Sequence, residues 1–446
     1  MTVQADGPAA RRVAVIGSGV SGLTAAWVLA RSADVTLFEA QPRFGGHAHT
    51  HYLSARHGGE AVVGVDSGFI VHNDRTYPTL LRLFDELGIA TQESDMSMSV
   101  SCDGCGLEYA GAKGLRGLVA TPRSLFRPRY LRMLSEVTRF HRLARALLDS
   151  QVDDEQTLGD FLSSARFTPY FTAHFMVPLV AAVWSCPPEV ALDYPVRYLL
   201  TFLDHHGMLT VFGSPTWRTV TGGSGSYVAA VIDRLDTVRS GVPVRAVSRS
   251  ATGVLIRDAA DRVEKFDAAV VATHPSQALA LLDQPSDLER AVLSQLTYSV
   301  NHTVLHSDAT VLPTRTGAQA SWNYRLPACQ SRPDRVLVSY DITRLQRLDA
   351  LADRRFVVTL GDGDRIDPAA VIASMVYEHP QFTSAFLDAQ RRLPDLGSPQ
   401  LAFAGAYHGW GFHEDGALSG LLAAQRLGGQ WAGPIPSLRT VGQDSR

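Results

Sequence analysis

The sequence is short of lysine, cysteine and charge. Charged residues make up 19% of the 446 positions and the net charge is −3, which excludes a disordered charged tail and a strongly basic nucleic-acid binder. Four cysteines are too few for a disulfide scaffold and fit a reducing, cytoplasmic compartment. Of the 41 basic residues only Lys113 and Lys265 are lysines, so an active-site lysine has two candidates.

Long hydrophobic runs are also lacking. The uncharged positions 13–30 follow Arg11 and Arg12 and superficially resemble a signal anchor, but three glycines interrupt them. A second apolar stretch, 169–185, contains His174 and Pro178 and predicts a buried core helix. The sequence therefore predicts no transmembrane segment. Its length suits roughly three domain-sized units, or two with insertions.

The first positive signal is a strand, a glycine turn and a helix. Positions 13–16 form a short apolar run typical of a buried parallel strand, and 23–31 have helical composition. Between them, Gly17, Gly19 and Gly22 form G-x-G-x-x-G. The first glycine permits the tight turn, the second lets the backbone approach a pyrophosphate, and the third allows close helix packing. The helix N-terminus offers N–H groups and a positive dipole end to the phosphates.

An acidic residue stands where a dinucleotide site needs one. Positions 34–38 predict the second strand, and Glu39 follows it, 22 positions after Gly17. A carboxylate there can accept hydrogen bonds from both ribose hydroxyls. A second glycine pair, Gly45 and Gly46, comes shortly afterwards. This combination predicts a dinucleotide-binding site.

With these motifs the sequence resembles the flavin amine oxidase and phytoene desaturase superfamily of FAD-dependent oxidoreductases. The shared fingerprint is the glycine turn, an E-A pair at the strand end and the G-G pair; His47 stands where many members have arginine. More closely, the segments 65–71, 73–78 and 93–97 resemble a bacterial branch of predicted NAD/FAD-binding proteins. Those proteins are often associated with cyclopropane-fatty-acid synthase-like methyltransferases. The resemblance covers nearly the whole chain.

The resemblance implies a fold of two domains. One is an α/β FAD-binding Rossmann-like domain of the GR2 type, discontinuous in sequence, built from 1–87, 220–295 and 400–446. The other is an α+β substrate-binding domain built from 88–219 and 296–399.

The resemblance also assigns cofactor contacts. The backbone at Val244 meets the adenine, Ala404 and Gly405 approach the ribityl chain, and Gly416 with Ala417 places a helix N-terminus under the flavin N1 and C2 carbonyl. Ala406 replaces an acid that members commonly have. The complete set predicted to bind FAD is Gly17, Ser18, Gly19, Ser21, Gly22, Glu39, Ala40, Gly45, Gly46, His47, Gly68, Phe69, Val244, Ala404, Gly405, Asp415, Gly416 and Ala417.

Catalytic side chains are expected to be few, because the flavin itself carries the hydride chemistry. Many amine oxidases hold a water near N5 with a lysine, and neither lysine of this chain matches that position. His413 stands where amine oxidases carry an aromatic cage residue, so His413 and Glu414 are predicted to take or relay a proton. A histidine satisfied at a helix entrance is the alternative. His205 and His206 could project into the substrate cavity or serve only in loop hydrogen bonds.

No metal site is predicted. His47, His49 and His51 would share one face of a strand, but no acidic or cysteine partner stands nearby at ligand spacing. Cys102 and Cys105 form a C-x-x-C around an Asp-Gly turn, which predicts a hairpin with the cysteines opposite each other. A redox pair is the alternative, and a second C-x-x-C for zinc is absent.

Positive charge is concentrated in one segment. Eight arginines and a single acid, Glu136, lie between Arg116 and Arg145, interleaved with apolar residues. This composition suits an anionic lipid surface at the inner membrane face, or the phosphates of an acyl carrier. A solvated basic helix face is the alternative.

The predicted function is an FAD-dependent oxidoreductase of the desaturase or dehydrogenase kind. It would transfer hydride between the flavin and a C–H or C=C of a lipophilic substrate, a fatty acyl chain. The alternatives are a flavin-dependent amine oxidase, a flavin-dependent double-bond isomerase and a non-catalytic flavin-binding accessory subunit of a lipid methyltransferase. No nucleic-acid partner is expected, and the oligomeric state is left open.

Overall fold

Strands and helices alternate along most of the chain in the computed structural model, which describes residues 11–56, 59–111, 114–150, 156–210 and 214–433. The strands within these ranges are β1 (Arg12–Ile16), β2 (Asp34–Phe38), β3 (Thr50–Ser54), β4 (Val62–Asp66), β5 (His72–Asn73), β6 (Thr91–Glu93), β7 (Met98–Cys102), β8 (Leu107–Gly111), β9 (Trp217–Val220), β10 (Thr237–Arg239), β11 (Val244–Ser250), β12 (Gly253–Asp258), β13 (Val263–Phe266), β14 (Ala268–Val271), β15 (Tyr298–His306), β16 (Trp322–Leu326), β17 (Val338–Asp341), β18 (Val357–Leu360), β19 (Val371–Pro380) and β20 (Leu401–Phe403).

The helices of the same ranges are α1 (Val20–Leu29), α2 (Pro78–Leu87), α3 (Gly114–Leu118), α4 (Pro128–Asp149), α5 (Leu158–Ser164), α6 (Pro169–Phe171), α7 (Val177–Trp184), α8 (Pro188–Asp193), α9 (Val196–His205), α10 (Gly225–Ile232), α11 (Pro275–Leu281), α12 (Asp287–Leu293), α13 (Ile342–Leu345), α14 (Ser384–Arg391) and α15 (His413–Arg426). A π-helical turn, Thr172–Met176, joins α6 to α7.

A five-stranded parallel sheet carries the glycine turn. Its order is β10-β2-β1-β14-β20, and the observed pairs are all parallel. β1 alternates between two buried layers: Val13 and Val15 pack with α1 and α15, whereas Ala14 and Ile16 face the other core. Burial on both faces explains why the inner strands are apolar runs without a polar alternation.

A seven-stranded mixed sheet forms the second large layer. Its order is β19-β15-β18-β17-β16-β7-β8, with β16 and β7 parallel and the other pairs antiparallel. Helical residues of 158–203 contribute to the same buried cluster as this sheet. The apolar stretch 169–185 lies there, so the predicted buried core helix is confirmed, although the π turn interrupts it.

Each of the two large sheets takes its strands from the segments of one predicted domain. The five-stranded sheet draws its strands from 1–87, 220–295 and 400–446, and the seven-stranded sheet draws its strands from 88–219 and 296–399. A small sheet of order β5-β9-β6 joins strands from both sets, so the predicted boundaries at 87/88 and 219/220 pass through a hydrogen-bonded unit. The domain division itself stays a prediction.

One local expectation needs correction. The Asp-Gly hairpin exists as β7 and β8, but Cys102 pairs with Leu107 while Cys105 lies within the turn, so the cysteines are not opposite each other. Val244, whose backbone is assigned to the adenine, is the first residue of β11 and follows Pro243, which has no amide to donate. Among the described helices, none combines the length and apolar character that crossing a bilayer requires.

Candidate flavin site

The glycine turn after β1 leaves space at the N-terminus of α1. Gly17 has a φ of +99°, and a Cβ added there would lie 2.5 Å from the Ala272 carbonyl oxygen. A Cβ on Gly22 would lie 1.8 Å from the Gly17 carbonyl oxygen, whereas one on Gly19 would meet no atom within 4 Å. Helix α1 has no side-chain cap and no acidic residue in its first turn. Its N–H groups therefore face a space that fits a pyrophosphate.

Glu39 follows β2 and reaches across to this turn. Its Oε2 accepts hydrogen bonds from the Ser18 amide at 2.9 Å and the Ser18 hydroxyl at 2.6 Å, and its Oε1 accepts from the Gln41 amide at 2.9 Å. The Glu39 carbonyl accepts from the Val242 amide at 3.0 Å, which brings the residues leading to Val244 alongside. Ala40 is exposed beside it. The carboxylate thus lies between the glycine turn and the strand assigned to the adenine.

The second glycine pair closes on the first turn. The Gly45 amide donates to the Ser18 carbonyl at 3.1 Å, and a Cβ on Gly46 would lie 3.0 Å from the Gly19 Cα. Gly45 and Gly46 have φ values of +110° and +57°, which favour glycine. The two glycine motifs therefore form one continuous cradle.

His47 and the 68–69 segment extend the cradle toward α15. A Cβ on Gly68 would lie 2.1 Å from the His47 carbonyl oxygen, and the Phe69 amide donates to that oxygen at 2.7 Å. The Phe69 ring stacks on the His413 ring with a centroid distance of 3.6 Å. Residues that the sequence places far apart are in direct contact here.

The predicted cofactor-binding residues of segment 400–446 lie against the strand and helix that flank the first glycine turn. The Ala404 amide donates to the Val271 carbonyl at 3.0 Å, and the Gly405 amide donates to the Ser419 hydroxyl at 2.9 Å. A Cβ on Gly416 would lie 2.5 Å from Val20 Cγ1 and 3.1 Å from Ser21 Oγ. The first turns of α1 and α15 are therefore adjacent, with Ala417 fully buried between them and the core. Two neighbouring helix N-termini suit an anionic cofactor.

Several buried polar atoms beside this segment have no hydrogen-bond partner among the residues that the structure describes. They belong to the stretch between β20 and the first residue of α15 and are Tyr407 Oη, His408 Nε2, Trp410 Nε1 and His413 Nε2. Buried polar atoms normally have hydrogen-bond partners, so a cluster of unpaired atoms indicates that another group completes the site. The residues present fit a flavin.

His413 is uncharged where it lies. Burial, reinforced by the charge of His72, lowers its pKa from the usual 6.5 to about 3. At neutral pH its ring is a neutral imidazole, and no group in the described part of the chain forms a hydrogen bond with Nε2. Such a ring can exchange a proton with a bound molecule without first losing a charge.

The two acids that follow His413 hold backbone groups. Both Glu414 carboxylate oxygens accept hydrogen bonds at 2.9 Å, from the Thr79 and Leu80 amides in the first turn of α2. Asp415 Oδ2 accepts from the Phe412 amide at 2.8 Å. Burial raises the pKa of Glu414 to about 6 and that of Asp415 to about 7. The sequence predicts a proton relay at Glu414, yet the structure commits both of its oxygens to α2.

A group that the sequence did not suggest, the histidine cluster, consists of His47, His274, His379 and Tyr377. The His47 ring centroid lies 5.1 Å from Tyr377, 5.5 Å from His379 and 6.0 Å from His274. Burial lowers the pKa of His47 well below 6.5 and that of His379 to about 4. Tyr377 and His379 alternate on β19 and so share a face, a signal that the sequence offered.

His49 and His51 take part in an ordinary hydrogen-bond network. His49 Nδ1 lies 2.9 Å from Tyr377 Oη, and His51 Nε2 lies 2.9 Å from Ser67 Oγ. Ser67 Oγ and Tyr377 Oη are 2.8 Å apart. The network links β3 and the residue before it to the histidine cluster on β19 of the seven-stranded sheet.

A cavity of about 550 Å³ opens between α9 and the residues before α15. Its wall includes Phe202, Trp410 and Phe412, and the rings of Phe202 and Phe412 stack with centroids 4.9 Å apart. Arg75 and Asp204 also line it and are both exposed. The buried carboxyl groups of Glu414 and Asp415 line it as well, so the cavity wall is part aromatic and part acidic, with exposed charged side chains at its opening.

The other sequence candidates have clear positions. His205 and His206 both line the cavity. His206 is buried, and its Nδ1 and Nε2 lie 2.9 Å from the Phe202 carbonyl and 3.1 Å from the Thr76 hydroxyl. Lys265 is on β13, exposed, and donates to the Thr252 hydroxyl. Lys113 lies outside the described residues.

Comparison with known families gives one broad match. A family model described as flavin containing amine oxidoreductase matches residues 20–358. Tryptophan 2-monooxygenase from Allorhizobium ampelinum is 42% identical over 80 residues, which are 18% of this chain. The match spans only 10% of that protein's length.

Solved structures share the fold. Cyclohexylamine oxidase from Brevibacterium oxydans superposes with a TM-score of 0.66 at 17% identity, over 94% of this chain and 98% of that one. A fatty acid isomerase from P. acnes that produces CLA gives a TM-score of 0.62 at 17% identity, over 94% and 99% of the two chains. At this identity the likeness shows the fold alone, and the fold serves different chemistries.

Proposed function

Because the chain belongs to the flavin containing amine oxidoreductase family and uses FAD, we propose that it oxidises or reduces a lipophilic substrate, of which a fatty acyl chain is the favoured class. The observation that carries the substrate class is the aromatic cavity wall of Phe202, Trp410 and Phe412. Burying apolar substrate surface there supplies binding energy of about 25 cal/mol per Å². His413, at the first turn of α15 beside Phe412, is neutral, whereas Glu414 and Asp415 in the cavity wall are carboxyl groups whose pKa values burial raises to about 6 and about 7.

The residue roles follow from position. Gly17, Gly19 and Gly22 hold the pyrophosphate, Glu39 binds the adenosine ribose, and the first turn of α15 at Gly416 and Ala417 supports the isoalloxazine. The flavin, when bound, supplies the hydride acceptor or donor. His413 Nε2 holds or passes the proton that accompanies the hydride, and its stacking on Phe69 fixes the ring plane.

An amine oxidase is the second candidate. Trp410 and Phe412 could form the aromatic walls around a neutral amine, and the structural likeness to cyclohexylamine oxidase favours the same idea. Against it, Lys265 is exposed on β13, hydrogen-bonded to the Thr252 hydroxyl, and cannot hold a water at the flavin. The likeness to a fatty acid isomerase supports a third outcome, double-bond movement without net redox change.

Anaerobic mixing separates these outcomes. Holoenzyme is mixed with saturated and unsaturated fatty acyl substrates and, separately, with primary amines, while the visible band of oxidised flavin is followed. A dehydrogenase bleaches the band with an acyl substrate and not with amines. Turnover of an acyl substrate with the band intact identifies an isomerase, and bleaching by amines alone overturns the proposal.

The proposed role of His413 has its own test. In His413→Ala, flavin reduction slows by about a hundredfold because the proton acceptor is gone, while flavin content stays constant. His306→Gln, at a buried histidine that contacts Thr359 within the seven-stranded sheet, is the control and keeps the wild-type rate. Wild-type reduction kinetics in His413→Ala remove the proton-transfer role.

The arginine-rich segment 116–145 supports contact with an anionic membrane surface. Four large apolar side chains in or beside it are exposed: Leu115 by 80%, Leu125 by 51%, Phe126 by 84% and Leu131 by 44%. Exposed apolar groups among arginines match the requirements of interfacial binding. Arg139 and Arg145 instead donate to the Ala165 and Leu209 carbonyls, so the proposed surface consists of the remaining exposed arginines of the segment. Delivery of an acyl substrate from the bilayer would suit such a surface.

A further inference from the structure

Three cysteines and one histidine meet at a corner of the seven-stranded sheet. One ligand atom from each of Cys102, Cys105, Cys329 and His174 lies within 4.8 Å of the ligand atoms of the other three. The Sγ atoms of Cys102 and Cys329 are 3.7 Å apart, and Cys105 Sγ is 3.8 Å from His174 Nε2. These four residues, the Cys3His cluster, come from three separate parts of the chain.

The spacing discriminates between a metal and a disulfide. Zinc bonds of about 2.3 Å to sulfur and about 2.0 Å to nitrogen place tetrahedral ligand atoms roughly 3.4–3.8 Å apart. The two measured distances fall at the upper end of that range. A disulfide needs sulfurs about 2.05 Å apart, so Cys102 and Cys329 would have to approach by more than an ångström. These two pairs of ligand atoms are therefore already at the separation of a tetrahedral zinc site, and no other pair is more than 4.8 Å apart.

The local backbone is built to bring the thiols together. Cys102 ends β7, where it pairs with Leu326 of β16, and Cys105 lies in the following turn. A Cβ on Gly104 would lie 3.0 Å from the Ala328 Cα and 3.1 Å from the Cys329 amide nitrogen. Glycine between the two cysteines therefore allows the turn to approach the loop that carries Cys329.

His174 is oriented as a metal-binding histidine is. Its Nδ1 lies 3.1 Å from the Tyr170 carbonyl, so Nδ1 carries the proton and Nε2 presents its lone pair toward Cys105. The Tyr170 ring stacks on the imidazole with a centroid distance of 3.9 Å and fixes its plane. The histidine is fully buried on the π-helical turn, a feature often found at functional sites.

We propose that the Cys3His cluster binds one Zn²⁺ as a structural site. Each thiol loses its proton to solvent as its sulfur bonds to the metal, and the neutral imidazole donates through Nε2. Four protein ligands fill a tetrahedral shell and leave no open position for a substrate, so the site is structural and not catalytic. It fastens the β7–β8 turn and the loop after β16 to the helical layer, and it does not depend on the proposed oxidoreductase function. The expectation of no metal arose because the second pair of ligands is not a C-x-x-C.

Metal analysis of the full-length holoenzyme tests the site. Protein purified with reductant and without chelator contains about one zinc per chain. Cys329→Ser and His174→Gln each lower the zinc content several-fold, while flavin absorbance is retained. Cys186→Ser is the matched control, since this buried free cysteine lies outside the cluster, and it keeps the full zinc content.

Cobalt gives a second measurement that needs no variant. Wild-type holoenzyme exchanged from zinc to Co²⁺ shows the d–d absorption of a tetrahedral thiolate site in the red, beyond the bands of oxidised flavin. Zinc below about a tenth per chain, together with no such absorption, overturns the proposal. A Cys102–Cys329 disulfide in peptides from protein alkylated at lysis overturns it as well.

Discussion

At the scale of single residues, Glu414 and His413 are neighbours in sequence with different surroundings. Glu414 is 3% exposed and accepts two backbone hydrogen bonds from α2, whereas His413 has an unpartnered Nε2. A carboxylate held by two amides contributes mainly to the position of the helix that it binds. We therefore expect substitutions at the two positions to have different effects: a loss of stability at Glu414 and a loss of flavin reduction rate at His413.

Glu414→Gln tests whether Glu414 contributes to stability and not to the rate. The amide group keeps one acceptor oxygen and turns an NH₂ toward a backbone N–H, which leaves a buried donor without a partner. We expect the free energy of unfolding to fall by about 1–3 kcal/mol, measured by urea denaturation. The rate of flavin reduction in the folded fraction should stay within about twofold of wild type. A large loss of rate with normal stability would instead support the proton relay that the sequence predicts.

The sequence predicted most residues of the cradle but, of the histidine cluster beside it, only His47. Gly17, Gly22 and Glu39 lie in a short stretch whose spacing is set by one strand, one turn and one helix. The histidine cluster joins His47 to His379, more than three hundred positions later, through a contact between the turn that contains His47 and β19. The alternation of Tyr377 and His379 is visible in the sequence, but local spacing carries no information on their contact with His47, so the cluster as a whole could not be predicted.

At the scale of elements, close packing of α1 against α15 positions the cofactor cradle. A Cβ on Gly420 would lie 2.2 Å from the Ser21 carbonyl oxygen, so glycine is required for the helices to approach. The packing brings the first turns of both helices, and therefore their positive dipole ends, to the same site.

Gly420→Ala should force these helices apart. We expect a loss of about 1–3 kcal/mol in the free energy of unfolding and a lower flavin content after purification. Leu422→Ala on the same helix, where the side chain is 47% exposed, is the control and should change stability by less than about 0.5 kcal/mol. Equal effects of the two substitutions would contradict the packing argument.

The elements divide into those that the sequence predicted and those that it did not. β1 and β2 are short apolar runs, buried after their first residues, and their composition and their positions around the glycine turn and its helix predict them. β10 has only three half-buried residues, and its parallel pairing with β2 gives no local signal. The order of the seven-stranded sheet likewise depends on pairings between distant segments.

At the scale of the whole molecule, the arginine-rich surface predicts salt-dependent binding to anionic vesicles. The double variant Arg123→Gln/Arg129→Gln should bind phosphatidylserine-containing vesicles more weakly, by about fivefold for each charge removed. Co-sedimentation at low and high salt measures this. Arg245→Gln/Arg257→Gln, on β11 and β12, is the control and should bind normally. Unchanged binding of the first variant would remove the membrane proposal, and selective capture of an acyl carrier would replace it.

The buried histidines predict loss of stability in mild acid. Burial lowers the pKa of seven histidines to about 3 or about 4: His49, His72, His206, His306, His379, His408 and His413. The unfolded chain protonates them below pH 6.5 while the folded protein does not, so their stabilising effect is lost as pH falls toward 4. Asp66, Glu414 and Asp415 have raised pKa values and act in the opposite direction, but they are fewer.

We expect the melting temperature to fall on the order of 10 °C between pH 7 and pH 5. Thermal unfolding of the holoenzyme followed by circular dichroism checks the slope. His306→Gln removes one contributing group far from the cradle and should make the dependence shallower. A melting temperature that rises toward pH 5 would show that the carboxyl groups dominate.

The strand order of the parallel sheet also bears on how the protein is made. β1 pairs with β2 early in the chain, but its other neighbour, β14, begins at residue 268, and β20 completes the edge only at residue 401. During synthesis the cradle therefore cannot close until nearly the whole chain has left the ribosome, and the edge of β1 that pairs with β14 stays open for tens of seconds at about 5–20 residues per second. Nascent chains of this protein should accordingly bind chaperones before they bind flavin.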